Sequence, residues 1–265
     1  MLGWLRARWT AQGLAHWGME LLVVVLGILI AFQLQSWAES RRDAKQQREL
    51  LERLAEEAGE TVGSLRMERD IFREFVDTQM AALDRWVNGG TCPTNADWSA
   101  FDKAGYYPAL QIPSAAYDEM IGSGGIARLP TPAVRSAVNR FHAGLVRYER
   151  QQDYFRQGAL AEDAKTAAAL GAVVTFDREE RDIGLTNYDR AACRNSLVKK
   201  SIASQVRSFG IMQRYRNALT SQAIVMCVRI AEALGARCRP TDGTPLTDKD
   251  IADAFEMVEE MGRRR

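Results

Sequence analysis

The run from Leu21 to Phe32, LLVVVLGILIAF, has no polar side chain, and it lies inside a longer stretch, Leu14 to Trp37, whose one charged residue is Glu20. At 1.5 Å per residue a helix over residues 14–37 is about 36 Å long, enough to cross a hydrocarbon core about 30 Å thick. Trp17 and Trp37 then fall about 30 Å apart, where amphipathic rings mark the two membrane interfaces. Residues 14–37 therefore read as a single amino-terminal transmembrane helix, and the bulk of the chain as a body hung from a lipid bilayer.

Glu20 lies three residues inside Trp17, so its carboxylate can reach the headgroups at a lower cost than a mid-bilayer acid. Steps of seven and four place Glu20, Gly27 and Ala31 on one helical stripe, with Gly27 and Ala31 forming a small-xxx-small pair. Two readings follow: a packing face for a second copy or another membrane protein, or chance small residues beside a snorkelling acid. A ring of Glu20 lining an ion pathway in an oligomer is a further alternative.

A cleaved signal peptide is the rival to an anchor, since Ser36-Trp37-Ala38 has a small-x-small form and twelve apolar residues fit a signal core. Twenty residues precede the run, a bulky Trp holds the middle of the supposed site, and helix-forming sequence continues past it. These features favour an uncleaved anchor.

The charge balance is even, 35 Lys and Arg against 34 Asp and Glu, so no global excess points to nucleic acid. The terminal Arg263-Arg264-Arg265 reads as solvated. Cys92, Cys193, Cys227 and Cys238 match no zinc or CxxC spacing. They allow two disulfides in an oxidising compartment, or four buried thiols. If the body is exported, Cys227 and Cys238 pair first, because Gly235 can end a helix between them and turn the chain back; Cys92 and Cys193 are then the second pair.

Orientation draws on opposed rules. Arg6 and Arg8 precede the span, whereas Arg41, Arg42, Lys45 and Arg48 follow it, which leans toward a cytoplasmic body. A short amino-terminal tail and an even cysteine count favour export. The expectation adopted is a single-pass protein of a bacterial inner membrane with its bulk in the periplasm.

Residues 1–13, with Leu2, Leu5 and Trp9 at helical spacing, suit an interfacial amphipathic segment. Residues 38–87 read as a stalk helix that continues the anchor. Its apolar positions, Leu51, Leu54, Ala58, Val62, Leu65, Phe72, Val76, Leu83 and Trp86, keep nearly the three-four alternation of a coiled coil. Arg69 interrupts the stripe and Gly59 and Gly63 weaken it, so packing against its own body is favoured over a strict dimeric coiled coil. The helix should stop at Gly89-Gly90.

Residues 88–265 form the body, with residues 88–113 as an aromatic-rich ordered loop. Ser114 can cap the short helix AAYDEMI, and Thr131 with Pro132 can start a long helix that runs to about Gly171. Val173 to Phe176 reads as a short strand or a buried loop. Long helices follow over about Ala191 to Leu234 and, after a capping Thr247, to about Met261. The fold class expected is all-α, an antiparallel helical bundle with the stalk as one member.

The segment Gly18 to Gln33, followed by Trp37-Ala38-Glu39 and Arg41-Arg42, resembles the amino-terminal signature of a bacterial family of single-span membrane proteins, domain-of-unknown-function family 6090. Tyr117-Asp118-Glu119-Met120, Ser123-Gly124-Gly125-Ile126, Arg128-Leu129 and the helix from Val134 are similar to that family's second block. Ala38 stands where the family usually has Asn. The resemblance implies that Glu20 and the Trp37–Arg42 flank belong to a recurrent anchor design, and it implies no activity.

Chemistry-bearing motifs are sparse. His16 and His142 lie in no metal or general-base pattern, Gly122-Ser123-Gly124-Gly125 lacks the strand and the GK[ST] of a phosphate cradle, and no GxSxG occurs. Adjacent pairs such as Glu56-Glu57 read as solvated charge. No catalytic residue, metal site or cofactor is expected. The function expected is a non-enzymatic membrane-anchored helical scaffold or accessory subunit that self-associates through its anchor. The second hypothesis is an exported ligand sensor acting through a membrane partner, built on Trp98, Phe101, Tyr106, Tyr107 and Tyr117 with Arg135, Arg140 and Arg147.

Overall fold

The computed structural model describes residues 11–102, 107, 109–170, 173–177, 182–186 and 193–263. Residues 1–10 of the expected interfacial segment, Tyr106, Glu179-Glu180 and the last two arginines lie outside them. Among the described residues there are six α-helices: α1 Ala11–Val87, α2 Asn95–Asp102, α3 Ala115–Gly122, α4 Pro132–Leu170, α5 Ser196–Ala233 and α6 Asp248–Arg263. Strands β1 Val173–Asp177 and β2 Asp182–Thr186 form an antiparallel hairpin with Val173 opposite Thr186, so Val173 to Phe176 is strand and the chain departs from all-α at this one place among the described residues. Contacts divide the chain into two units, Met1–Leu50 and Leu51–Arg265, and α1 contributes to both.

In the first unit every described side chain from Met19 to Trp37 is exposed, including Leu21, Val23, Leu29 and Phe32. The guanidinium of Arg41 lies over the Trp37 ring at 4.4 Å. In the second unit the α1 stripe is internal: Leu51, Leu54, Ala58, Val62, Leu65, Phe72, Val76 and Trp86 are buried, and Leu83 is half-buried. This part of α1 belongs to a helical bundle in which α4 packs on α5 and α5 on α6. Phe72 stacks on Phe209 of α5 at 4.9 Å between ring centroids.

Gly59 and Gly63, which weaken α1 as a free helix, serve packing here. A Cβ on Gly59 would lie 2.4 Å from the Arg239 carbonyl oxygen, and one on Gly63 2.8 Å from Thr241 Oγ1. Only a bare backbone lets the segment after α5 lie this close, and the Thr241 amide donates to the Gly59 carbonyl at 3.3 Å.

Several boundaries differ from the sequence expectation for local reasons. Residues 88–113 include α2, started by a reciprocal capping box: the Thr94 amide and hydroxyl donate to the Asp97 carboxylate, and the Asp97 amide donates back to Thr94 Oγ1. Helix α5 begins at Ser196 rather than about Ala191, because Asn195 Oδ1 accepts from the Leu197 amide. Thr131 and Thr247 cap α4 and α6 as expected, the latter through a second box with Asp250. Ser114 does not cap α3; its hydroxyl donates to Asp118 instead.

Candidate functional site

Helix α1 carries the residues expected to anchor the chain. Glu20, Gly27 and Ala31 are all helical and exposed, and a Cβ added at Gly27 would meet nothing within 4 Å. Trp17 is 76 % exposed, Trp37 56 %, and Arg42 is also exposed. One helix among the described residues is long and apolar enough to cross a membrane, and none of its most apolar stretch is buried within the chain.

The four cysteines are joined in two pairs. Cys92 and Cys193 link the segment after α1 to the turn before α5 with Cα atoms 5.6 Å apart, and Cys227 and Cys238 fold the segment after α5 back onto that helix at 5.4 Å. Both separations suit a disulfide. Gly235, between the second pair, has φ +68°, the left-handed conformation that ends the helix. Beside the first pair, Trp86, Trp98 and Phe101 form an aromatic cluster, and Trp86 Nε1 donates to the Cys193 carbonyl at 3.2 Å.

The aromatics of the expected ligand loop are therefore largely structural. Trp98, Phe101 and Tyr107 are buried in the core, Arg135 donates to the Leu129 carbonyl, and Arg140 reaches the Val258 carbonyl at 3.5 Å. Tyr117 and Arg140 line different concavities, and Tyr106 lies outside the described residues.

A different concavity exists in the second unit. A cavity of about 200 Å³ lies between α1, the segment before α3, α3, α4 and α5. Its floor is apolar and buried, from Leu54, Ala58, Val138, Phe141, Met226 and Ile230. Its rim carries Glu57, Asp118 and Glu149, with Tyr117 stacked on His142 at 4.7 Å. Burial, and secondarily the charge of Asp118, push the Tyr117 phenol up, so it stays neutral and able to donate a hydrogen bond.

Glu57 also accounts for the missing cap of α3. Its carboxylate accepts from the amides of Ala116 at 2.7 Å and Tyr117 at 3.3 Å, so an acid from α1 fills the role that Ser114 leaves open. The reading of Glu57 as solvated charge is thus corrected, whereas its neighbour Glu56 is exposed. The signal in the sequence was faint: Glu57 lies on the same helical face as Leu54 and Thr61.

A buried ionic cluster completes the interior. Arg216 of α5 is 2 % exposed and lies 3.4 Å from the Glu68 carboxylate and 4.6 Å over the Phe72 ring. Burial, opposed by Arg216, pushes the Glu68 carboxyl up. Among the described residues no group of three or more His, Cys, Asp or Glu is arranged to hold a metal ion. No family model, curated protein or solved structure matches the chain, and the resemblance to family 6090 rests on the quoted residues alone.

Proposed function

We propose that this protein is a non-enzymatic, membrane-anchored helical scaffold or accessory subunit, held in a bacterial inner membrane by residues 14–37. The observation that carries this reading is the apolar run of α1 from Leu21 to Phe32, which is exposed among the described residues and is bracketed by exposed Trp17 and Trp37. Such a surface is stable against lipid and unstable in water. Two disulfides favour a body on the oxidising, periplasmic side of the membrane. The stripe of Glu20, Gly27 and Ala31 supports self-association or docking of another membrane helix, because small residues let backbones approach and an intramembrane carboxylate gains from a partner.

The test is protease protection of a carboxy-terminally tagged chain in spheroplasts, with alkaline washing of the membranes. Loss of the tag with retention of an amino-terminal membrane fragment is expected. A tag that survives until lysis contradicts export, and a chain that washes off contradicts the anchor. Cross-linking in membranes tests the stripe: Gly27→Leu with Ala31→Leu should abolish a cross-linked dimer, and a wild-type chain that yields no adduct with itself or another protein removes the packing role.

The cavity favours a second reading, an exported bundle that senses a small ligand and signals through a membrane partner.

A further inference from the structure

The cavity bounded by Leu54, Val138, Phe141 and Ile230 has the two-part construction of a ligand site, a dry apolar floor beneath a rim of polar groups. Its volume of about 200 Å³ is somewhat larger than the roughly 150 Å³ of an apolar cavity that admits benzene, so it has room for one ring with a short arm.

The charge of the rim selects among such molecules. Glu57, Asp118 and Glu149 line the cavity, and no lysine or arginine lines it among the described residues. Arg53, one turn before Glu57 on α1, is engaged by Glu119 through hydrogen bonds of 2.6 and 2.8 Å. The Glu149 side chain makes no hydrogen bond or ion pair among the described residues, and it is exposed where it lines the cavity. Tyr117, stacked on His142, and Phe141 add aromatic lining, and aromatic rings attract cations. An anionic ligand would meet three carboxylates, and a neutral one would leave Glu149 without a counter-charge.

We propose that this cavity binds a small organic monocation, a primary amine on a single-ring or similarly compact apolar body. The body fills the floor and the ammonium sits at the rim among Glu57, Asp118 and Glu149. Glu57 is doubly engaged by α3 amides and anchors the wall, Asp118 accepts from Ser114, and Glu149 is left as the main counter-charge. The inference holds whether or not the anchor self-associates.

The experiment is calorimetric titration of the full chain in lipid nanodiscs, with empty nanodiscs as the blank, at about pH 8, where an alkyl ammonium keeps its proton. The probes share one body and differ in charge: phenethylamine, phenethyl alcohol and phenylacetate. Phenethylamine should bind with a Kd of about 1 mM or tighter, as expected for nine non-hydrogen atoms. The alcohol should bind more weakly and phenylacetate weakest. Glu149→Gln should weaken the amine by up to about fivefold and leave the alcohol unchanged, the size set by an exposed ion pair. Ala58→Leu, which adds bulk to the floor, should remove binding of the amine. Equal binding of amine and alcohol, preference for the carboxylate, absence of amine binding, or binding unaffected by both variants would each overturn the proposal. Glu149 is exposed and Glu149→Gln keeps its shape, so that variant decides the role of charge even if Ala58→Leu fails to fold.

Discussion

Arg216 on α5 donates a hydrogen bond of 2.6 Å from Nη2 to the phenolic oxygen of Tyr148 on α4, and both side chains are buried. A second bond of 3.1 Å runs from Nε to the same oxygen, and Nη1 donates to the Glu68 backbone carbonyl of α1 at 3.3 Å. One guanidinium thus ties three helices together in the core. Removing an acceptor from a buried cation leaves donors without partners, so Tyr148→Phe should lower stability by about 1.5–3 kcal/mol. Urea denaturation of the full chain, followed by far-ultraviolet circular dichroism, should show a lower midpoint with an unchanged slope.

Glu68 in this core and Asp250 in the capping box of α6 respond oppositely to pH. Glu68 is pushed above its ordinary value, near 4.5, first by burial and against the pull of Arg216. The folded state therefore binds more protons than the unfolded state, and the contribution of Glu68 falls as pH rises from about 4.5 through its folded value. Asp250 is held below its ordinary 3.8, first by the Thr247 hydroxyl and then by the Thr247 amide. Its contribution is present above that value and lost as pH falls below it. Urea midpoints measured across acidic pH should flatten at the upper end in Glu68→Gln and at the lower end in Asp250→Asn.

Gly59→Ala should destabilise the body even though alanine favours helix by about 1 kcal/mol. The added Cβ meets the Arg239 carbonyl oxygen at 2.4 Å, and the neighbouring turn is held by the Cys227–Cys238 bond and by Arg66, whose guanidinium contacts Asp242 at 3.5 Å. Overpacking against backbone costs about 1–3 kcal/mol. Thermal melting should report a lower midpoint for Gly59→Ala, and an unchanged or higher midpoint would show that the segment gives way freely.

The disulfides should differ in weight. In the chain-entropy model a closed loop of about 100 residues is worth about 4.7 kcal/mol, and one of about 15 residues about 3 kcal/mol. The sequence separations are 101 for Cys92–Cys193 and 11 for Cys227–Cys238. Replacing the first pair with Ser should lower the midpoint more than replacing the second. Peptide mapping without reductant should recover both linked pairs from membranes, and free thiols there would contradict an exported body.

Glu57→Ala should fray α3, because Ala116 and Tyr117 lose the acceptor of their amide protons. Loss of a cap costs about 1 kcal/mol. Hydrogen exchange should accelerate in Ala116–Met120 while the amides of α5 keep their protection.

What the sequence determined by itself was local. The apolar run of α1, the caps at Thr131 and Thr247, the stop at Gly235 and the inward stripe from Leu51 to Trp86 follow from hydrophobic period and backbone preference within a few residues of each site. The reciprocal bonds of Thr94 and Asp97 are equally local, but aromatic and loop-forming residues around them hide α2 in the sequence. Tertiary structure decided the rest. Glu57 fills the place of Ser114 at α3 because packing brings an acid from α1 to two amide donors 59 and 60 residues away in the chain. Gly59 and Gly63 look like defects in a helix until the turn at Thr241 lies on them. Nothing near Arg216 in the sequence marks it as a core residue, yet Tyr148, Phe72 and Glu68 enclose it. In each case the deciding partner is distant in sequence, and only the packing of the helices fixes which buried donor meets which acceptor.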